Sequence, residues 1–391
     1  MLPFALLCAP ALHVAPRFAA CRRCHIVAAL PSFVSDQKIA AIGEAAFVDA
    51  ANSMAVADLT LPAEFASGPV PTSYLNTNVA PSSAPPLLLL HGFDISSLEY
   101  RRLLPLLEAE GLEAYAPCVA GWGFTDTTSM KSVGVAAKRA QFLAFLDQVM
   151  GGRPAIVVGA SLGASMAVDL WAARPEAVAS LAFLDPGMYT PAPPVVPEPV
   201  GRLLIENVIG ADGVRESIAK QAYFEKEAQT DDAIAVGMLH VARDRWADDS
   251  TAWLLGGGYD VADAVVDLGA AGVPTLTLWG REDEVIPAGG DAAGGLLTPS
   301  PLASLLGALP ATTFRWVERS GHTPHLEQPA VTARAIAAFA RGEPVPGDGD
   351  AAAVVAAAER WEGLRAWAAS TARDAGARAS AAVEELFKRE P

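Results

Sequence analysis

The feature that most constrains the fold is the run Ala155-Ile156-Val157-Val158-Gly159-Ala160-Ser161-Leu162-Gly163, an apolar strand that enters a tight turn and leaves as a helix. A glycine two residues before and two after a serine is what so sharp a turn demands, because side chains there would collide with the backbone that folds over them. The turn holds the Ser161 hydroxyl out at the top of a sheet, on a helix N-terminus. A chain that carries such a turn must place a central, largely parallel sheet beneath it.

The rest of the sequence agrees with that demand. Short apolar runs alternate with helical stretches from Leu87 onward, the pattern of strand-helix units feeding a parallel sheet. Strands are predicted at Leu87 to Leu90, Glu113 to Ala116, Ala155 to Val158, Ala179 to Leu184, Pro274 to Leu278 and Thr313 to Val317. Helices are predicted over Ser132 to Met150, Ala164 to Ala173 and Ala330 to Ala340, where apolar residues recur at helical spacing. Val70 to Val79 adds an earlier antiparallel pair. The fold class is therefore α/β, a mostly parallel sheet with helices on both faces. With 52% hydrophobic and 18% charged residues over 391 positions, the chain can bury a large core, and disorder is excluded.

Composition divides the chain. Residues 1–35 contain no Asp or Glu but carry Arg17, Arg22 and Arg23 among apolar residues, the make-up of a targeting leader. Residues 36–84 form an N-terminal extension with possible first strands, 85–341 the main domain, 342–350 a Pro/Gly linker and 351–391 an Ala-rich amphipathic helix that docks on the body or on a partner. Between the fourth and fifth of the listed strands, about 187–265, the alternation lapses into a helical cap. Tyr223, Phe224, Trp246 and Trp253 lie there, as packing residues or as pocket walls, and Gly256 to Gly258 form a flexible return. The apolar stretch Met1 to Ala15 is broken by Pro3 and Pro10, and is shorter than the roughly 20 residues of a membrane-spanning helix. A net charge of −16 leaves no basic footprint for nucleic acid. Three of the four cysteines precede residue 25, so no disulfide framework supports the body, which fits a reducing compartment. Cys21-Arg22-Arg23-Cys24-His25 spells a haem-attachment pattern, but no small haem-type helical domain follows it.

A serine needs a base to become nucleophilic, and that base needs an acid to orient it. Of the six histidines, His13 and His25 are in the leader, His91 precedes the first loop glycine and His240 is inside the cap. His322, in the loop after the last strand, is the base, with His325 a structural neighbour. A zinc site from His322, His325 and Glu327 lacks a further convergent ligand. Asp283 follows the strand ending at Leu278 and is the expected acid; Asp185, after Leu184, is its rival. A developing oxyanion requires backbone N–H donors, expected from Leu162 and from Phe93 in the loop His91-Gly92-Phe93-Asp94.

Taken together, His91-Gly92-Phe93, Gly121-Trp122-Gly123, the Gly159 to Gly163 turn, Trp279 to Asp283 and Gly321-His322-Thr323-Pro324 resemble the α/β-hydrolase superfamily over about Pro85 to Arg341. His91-Gly92-Phe93-Asp94 with Leu98-Glu99-Tyr100-Arg101-Arg102 is similar to a group of plant and algal hydrolases, often directed to plastids. Cys118 departs from the Asp that many relatives carry before the glycine loop. The resemblance implies an ester or thioester hydrolase acting through Ser161, His322 and Asp283 on an apolar small molecule, with no metal or organic cofactor, in an organelle, a plastid, or otherwise the cytoplasm. Carbon-carbon bond hydrolysis, acyl transfer and a ligand receptor with an idle triad are its alternatives.

Overall fold

Four consecutive leucines, Leu87–Leu90, fold as a strand rather than a helix turn because each side of that strand meets a separate apolar layer. Leu87 and Leu89 join Ile156, Val158, Ala182 and Leu184 on one face of the sheet. Leu88 and Leu90 join Val157, Leu181 and Phe183 on the other. Such strands, buried on both faces, read as unbroken apolar runs. The computed structural model describes residue 34 and residues 36–81, 84–189, 197–221, 223–289 and 300–356.

Eight strands are present among the described residues: β1 (Ala55–Leu59), β2 (Val70–Asn76), β3 (Leu87–Leu90), β4 (Ala114–Pro117), β5 (Ala155–Ala160), β6 (Val178–Leu184), β7 (Thr275–Gly280) and β8 (Thr313–Val317). They form one sheet in the order β1-β2-β4-β3-β5-β6-β7-β8. β1 and β2 are antiparallel and so are β2 and β4; the remaining neighbours run parallel. The six strands read from the sequence are all found. The antiparallel pair involves the expected run at Val70, but its other member is the earlier Ala55–Leu59.

β3 is flanked by β4 on one side and β5 on the other, so the chain reverses its direction of winding there. Open α/β sheets place their ligands at the carboxyl ends of the strands at such a switch point, here the loops leaving β3 and β5.

Helices cover both faces, among them Val135–Gln148, Leu162–Ala173 and Pro329–Ala340. The inserted segment after β6 contains the helices Glu198–Leu204, Gly210–Gln221, Asp231–Met238 and Trp246–Leu255. The helix Ala262–Ala270 lies within the body instead: Val265 and Leu268 are fully buried in the main core. The cap boundary drawn at residue 265 thus cuts a body helix, whose apolar spacing alone cannot reveal which layer it joins.

Residues 342–350 read as a linker, but the structure pins this segment along the edge strand β8. The Trp316 amide donates to Asp348 O at 2.7 Å, its indole to Asp350 O at 2.8 Å, and Arg315 Nε to Val345 O at 2.9 Å. Val354 and Val355 then pack on the core. The leader, its Cys21 to His25 motif and the tail beyond residue 356 lie outside the described residues.

Candidate active site

Ser161 sits between β5 and the Leu162–Ala173 helix with φ 51 and ψ −122, a left-handed conformation that a side-chain-bearing residue adopts only when its surroundings enforce it. The neighbouring glycines show what enforces it. A Cβ on Gly163 would lie 2.1 Å from Leu90 O, and one on Gly159 would lie 2.4 Å from Gly163 O. The helix therefore starts against the end of β3, with its N-terminal amides under the serine.

Two later loops bring the partners. His322 Nε2 is 2.9 Å from Ser161 Oγ, and His322 Nδ1 is 2.8 Å from Asp283 Oδ2. The other carboxylate oxygen of Asp283 accepts from the amides of Val285 at 2.8 Å and Ile286 at 2.9 Å. The acid is thus held on both sides, and its geometry fixes which imidazole nitrogen faces the serine. Glu327 supports the histidine loop by accepting from the amides of Gly321 and Thr323.

Asp185, the rival acid, does not touch His322. It is fully buried behind Asp283, with Oδ1 accepting from the Gly280 amide at 2.8 Å and Oδ2 without a hydrogen bond. Burial, reinforced by the charge of Asp283, raises its carboxyl well above the usual range. Asp185, Asp283 and His322 present oxygen and nitrogen atoms within 4.8 Å of one another, the spacing of a metal site. Asp185 Oδ1, both Asp283 oxygens and both His322 nitrogens are engaged in hydrogen bonds, which leaves Asp185 Oδ2 as the one atom of the set without one.

The Phe93 and Leu162 amides have no hydrogen-bond partner among the described residues. A Cβ on Gly92 would come within 3.2 Å of Ser161 Cβ, so the loop after β3 approaches the serine as closely as its backbone allows. The Phe93 ring is 49% exposed, against Trp122 at 5.1 Å in an edge-on contact. His91 is buried; its Nδ1 bonds Gly92 O and its Nε2 accepts from Val119 N at 2.8 Å, tying the two loops together. Burial pushes its pKa down to about 4, so it is neutral and structural. Cys118 makes a 3.1 Å contact with Ser97 Oγ, while its carbonyl accepts from Thr125 and Gln141. The glycine loop is therefore held without the acid that is missing there.

The cap aromatics divide. Trp253 packs edge-on against Trp122 at 4.9 Å and beside Tyr259. Trp246 is buried and donates its indole N–H to Asp94. Both are buried and packed against the body. Phe224 is exposed. Tyr223 lines a cavity of about 50 Å³ together with Leu98, Ile218, Val236 and Thr323. His325 stacks near Tyr100 with its Nε2 3.7 Å from Glu99, away from His322. The set His322, His325 and Glu327 is accordingly split among different partners. Sequence reasoning missed Asp94 and His240 as contact residues; their nearest signal is Asp94 itself, a charge two residues after the loop glycine.

A mostly parallel sheet that carries a serine on a strained strand-to-helix turn, with a histidine and an acid from later loops, is the architecture of α/β hydrolases. The chain belongs to the alpha/beta hydrolase family, whose model matches residues 87–335. It is 32% identical over 286 residues to the Arabidopsis thaliana alpha/beta hydrolase domain-containing protein VTE7, covering 71% of this chain and 80% of that relative. Among solved structures, it resembles an esterase from Thermogutta terrifontis (TM-score 0.58, 20% identity, 73% of this chain and 98% of that one). It also resembles a meta-cleavage product hydrolase from Pseudomonas fluorescens IP01 (TM-score 0.55, 18% identity, 73% and 98%). Among the described residues no helix is long and apolar enough to cross a membrane.

Proposed function

We propose that the protein is a serine hydrolase that cleaves a carboxylic ester or thioester of an apolar substrate through an acyl-enzyme. The observation that carries this is the continuous contact from Ser161 Oγ to His322 Nε2 at 2.9 Å and from His322 Nδ1 to Asp283 at 2.8 Å. Ser161 Oγ attacks the carbonyl carbon while His322 takes its proton. The oxygen charge that develops is received by the amides of Leu162 and Phe93, at the positive end of the helix. The proton on His322 passes to the departing alkoxide or thiolate, leaving an acyl-serine. Water, deprotonated by the same histidine, then releases the carboxylic acid and restores the serine. The half-exposed Phe93 ring beside the serine, with Leu162 and Ile286 nearby, supports an apolar substrate. The leader reading, and the relative from a plant, support targeting to an organelle, a plastid in this proposal.

Fluorophosphonate labelling and nitrophenyl ester turnover test the reading. Wild type labels and turns over repeatedly, with a rate that depends on acyl length. Ser161→Ala abolishes labelling, and Ser161→Ala and His322→Ala each lower kcat by roughly 10⁴-fold or more. A folded wild type that neither labels nor turns over any ester overturns it. Adding an alcohol acceptor distinguishes hydrolysis from acyl transfer by the product formed.

A further inference from the structure

We propose that Asp94 is a positioning residue that couples the seating of the cap to the oxyanion site. This rests on the hydrolase reading above and deepens it. Asp94 follows Phe93 directly and has φ 46, the left-handed region that a non-glycine residue occupies under constraint. Its Oδ1 accepts from two cap residues at once, His240 Nε2 at 2.9 Å and the Trp246 indole at 2.9 Å. All three side chains are buried. Burial by itself would raise the Asp94 carboxyl; His240, Trp246 and Arg243 outweigh it and hold it below the ordinary range, so an anion occupies the junction.

The cap grips the neighbouring loop as well. Arg243 donates to Gly121 O and Thr125 O and pairs with Asp249 at 3.1 Å. That loop carries Trp122, against which the Phe93 ring rests. The residue whose amide faces the developing charge is therefore held from both sides by groups anchored to the cap, and its backbone direction is set by the strained residue after it. An oxyanion donor acts only when aimed at the position the charge will occupy. A cap that lifts releases Asp94 Oδ1, relaxes its backbone and turns the Phe93 amide away, so full catalytic capacity exists only with the cap in place.

The test compares Asp94→Ala, Asp94→Asn, Trp246→Phe and the double variant Asp94→Ala/Trp246→Phe, with kcat counted per serine titrated to completion by fluorophosphonate. Asp94→Ala lowers kcat by roughly 30-fold, less than loss of a whole oxyanion donor, with KM within about twofold. Trp246→Phe lowers it by a few-fold in the wild-type background and not at all in the Asp94→Ala background, because the indole acts through that carboxylate. Asp94→Asn, which keeps an acceptor and tolerates the left-handed backbone, restores most of the rate. An unchanged kcat per titrated site in Asp94→Ala, or additive losses in the double variant, overturns the proposal. Hydrogen exchange over residues 91–98 reads the anchor without any turnover: faster exchange in Asp94→Ala and Trp246→Phe is expected, and unchanged exchange overturns the coupling. An inactive wild type whose exchange still responds to these variants marks failure of the hydrolase reading alone.

Discussion

Two aspartates end adjacent strands of this sheet, and their chemistry differs because of where each carboxyl points. Asp283 reaches its loop's own amides and the imidazole, and so sits among donors. Asp185 meets a single amide and the negative charge of Asp283, inside the core. An amide at 185 keeps the acceptor for the Gly280 amide, whereas one at 283 presents a donor group to the histidine in place of a second acceptor. Asp185→Asn is expected to keep kcat within about threefold, while Asp283→Asn loses on the order of 10⁴-fold, the size of effect seen when the histidine is left in the wrong tautomer. Parallel measurement of ester turnover by the two variants checks this. A loss in Asp185→Asn comparable to that in Asp283→Asn would show that the buried acid takes part in the relay.

At the scale of elements, the segment 342–356 decides how the sheet ends. β8 is an edge strand, and an uncovered edge offers unpaired backbone groups to other chains. Here the amide of Trp316 is paired with Asp348, Arg281 bridges to the Asp348 carboxylate at 2.7 Å, and Val345 is buried. Removing the chain after Gly342 is expected to cost about 2–3 kcal/mol, from one buried valine and a few hydrogen bonds, and to increase light scattering on heating. Urea unfolding and scattering of the shortened protein against the full chain measure both. This element also marks where sequence ceases to be informative. Pro344, Pro346, Gly347 and Gly349 report local backbone preference, but not that a turn-rich strand of residues lies against a distant edge. β1 escaped for a related reason: Ala55–Leu59 is short and carries an exposed Asp58, and only its pairing with β2 makes it a strand. By contrast, β3 and β5 to β7 were legible because strands buried on both faces leave an apolar run in the sequence itself. Ser161 directly follows such a run, and Asp283 and His322 lie in the loops that leave β7 and β8. The Asp94 contacts were not legible, since residues 146 and 152 positions away supply them.

Over the whole molecule, stability and pH are linked through a lysine enclosed between body and cap. Lys138 is buried beneath Trp122, with its ammonium 4.0 Å from that ring and 5.1 Å from the Trp253 ring of the cap, and it donates to Ala120 O. Burial lowers its pKa to about 7, against an ordinary 10.5. Between these values the unfolded chain holds a proton that the folded chain has released, so this group's contribution to stability rises with pH through that window. Relative to Lys138→Met, wild type is expected to gain on the order of 3 kcal/mol between pH 6.5 and 9.5, read from urea midpoints at the two pH values. A constant difference between the two proteins would mean the lysine stays charged. The N-terminal extension is bound to the same body by a different device. Glu44 joins Arg101 at 2.9 Å and Arg102 at 2.7 Å, and the Arg101 side chain is buried. A buried guanidinium stripped of its carboxylate partner costs about 3–5 kcal/mol. Any shortening from the N-terminus therefore has a threshold: a chain that still begins ahead of Glu44 keeps this clamp, whereas one that lacks Glu44 strands a buried cation at Arg101.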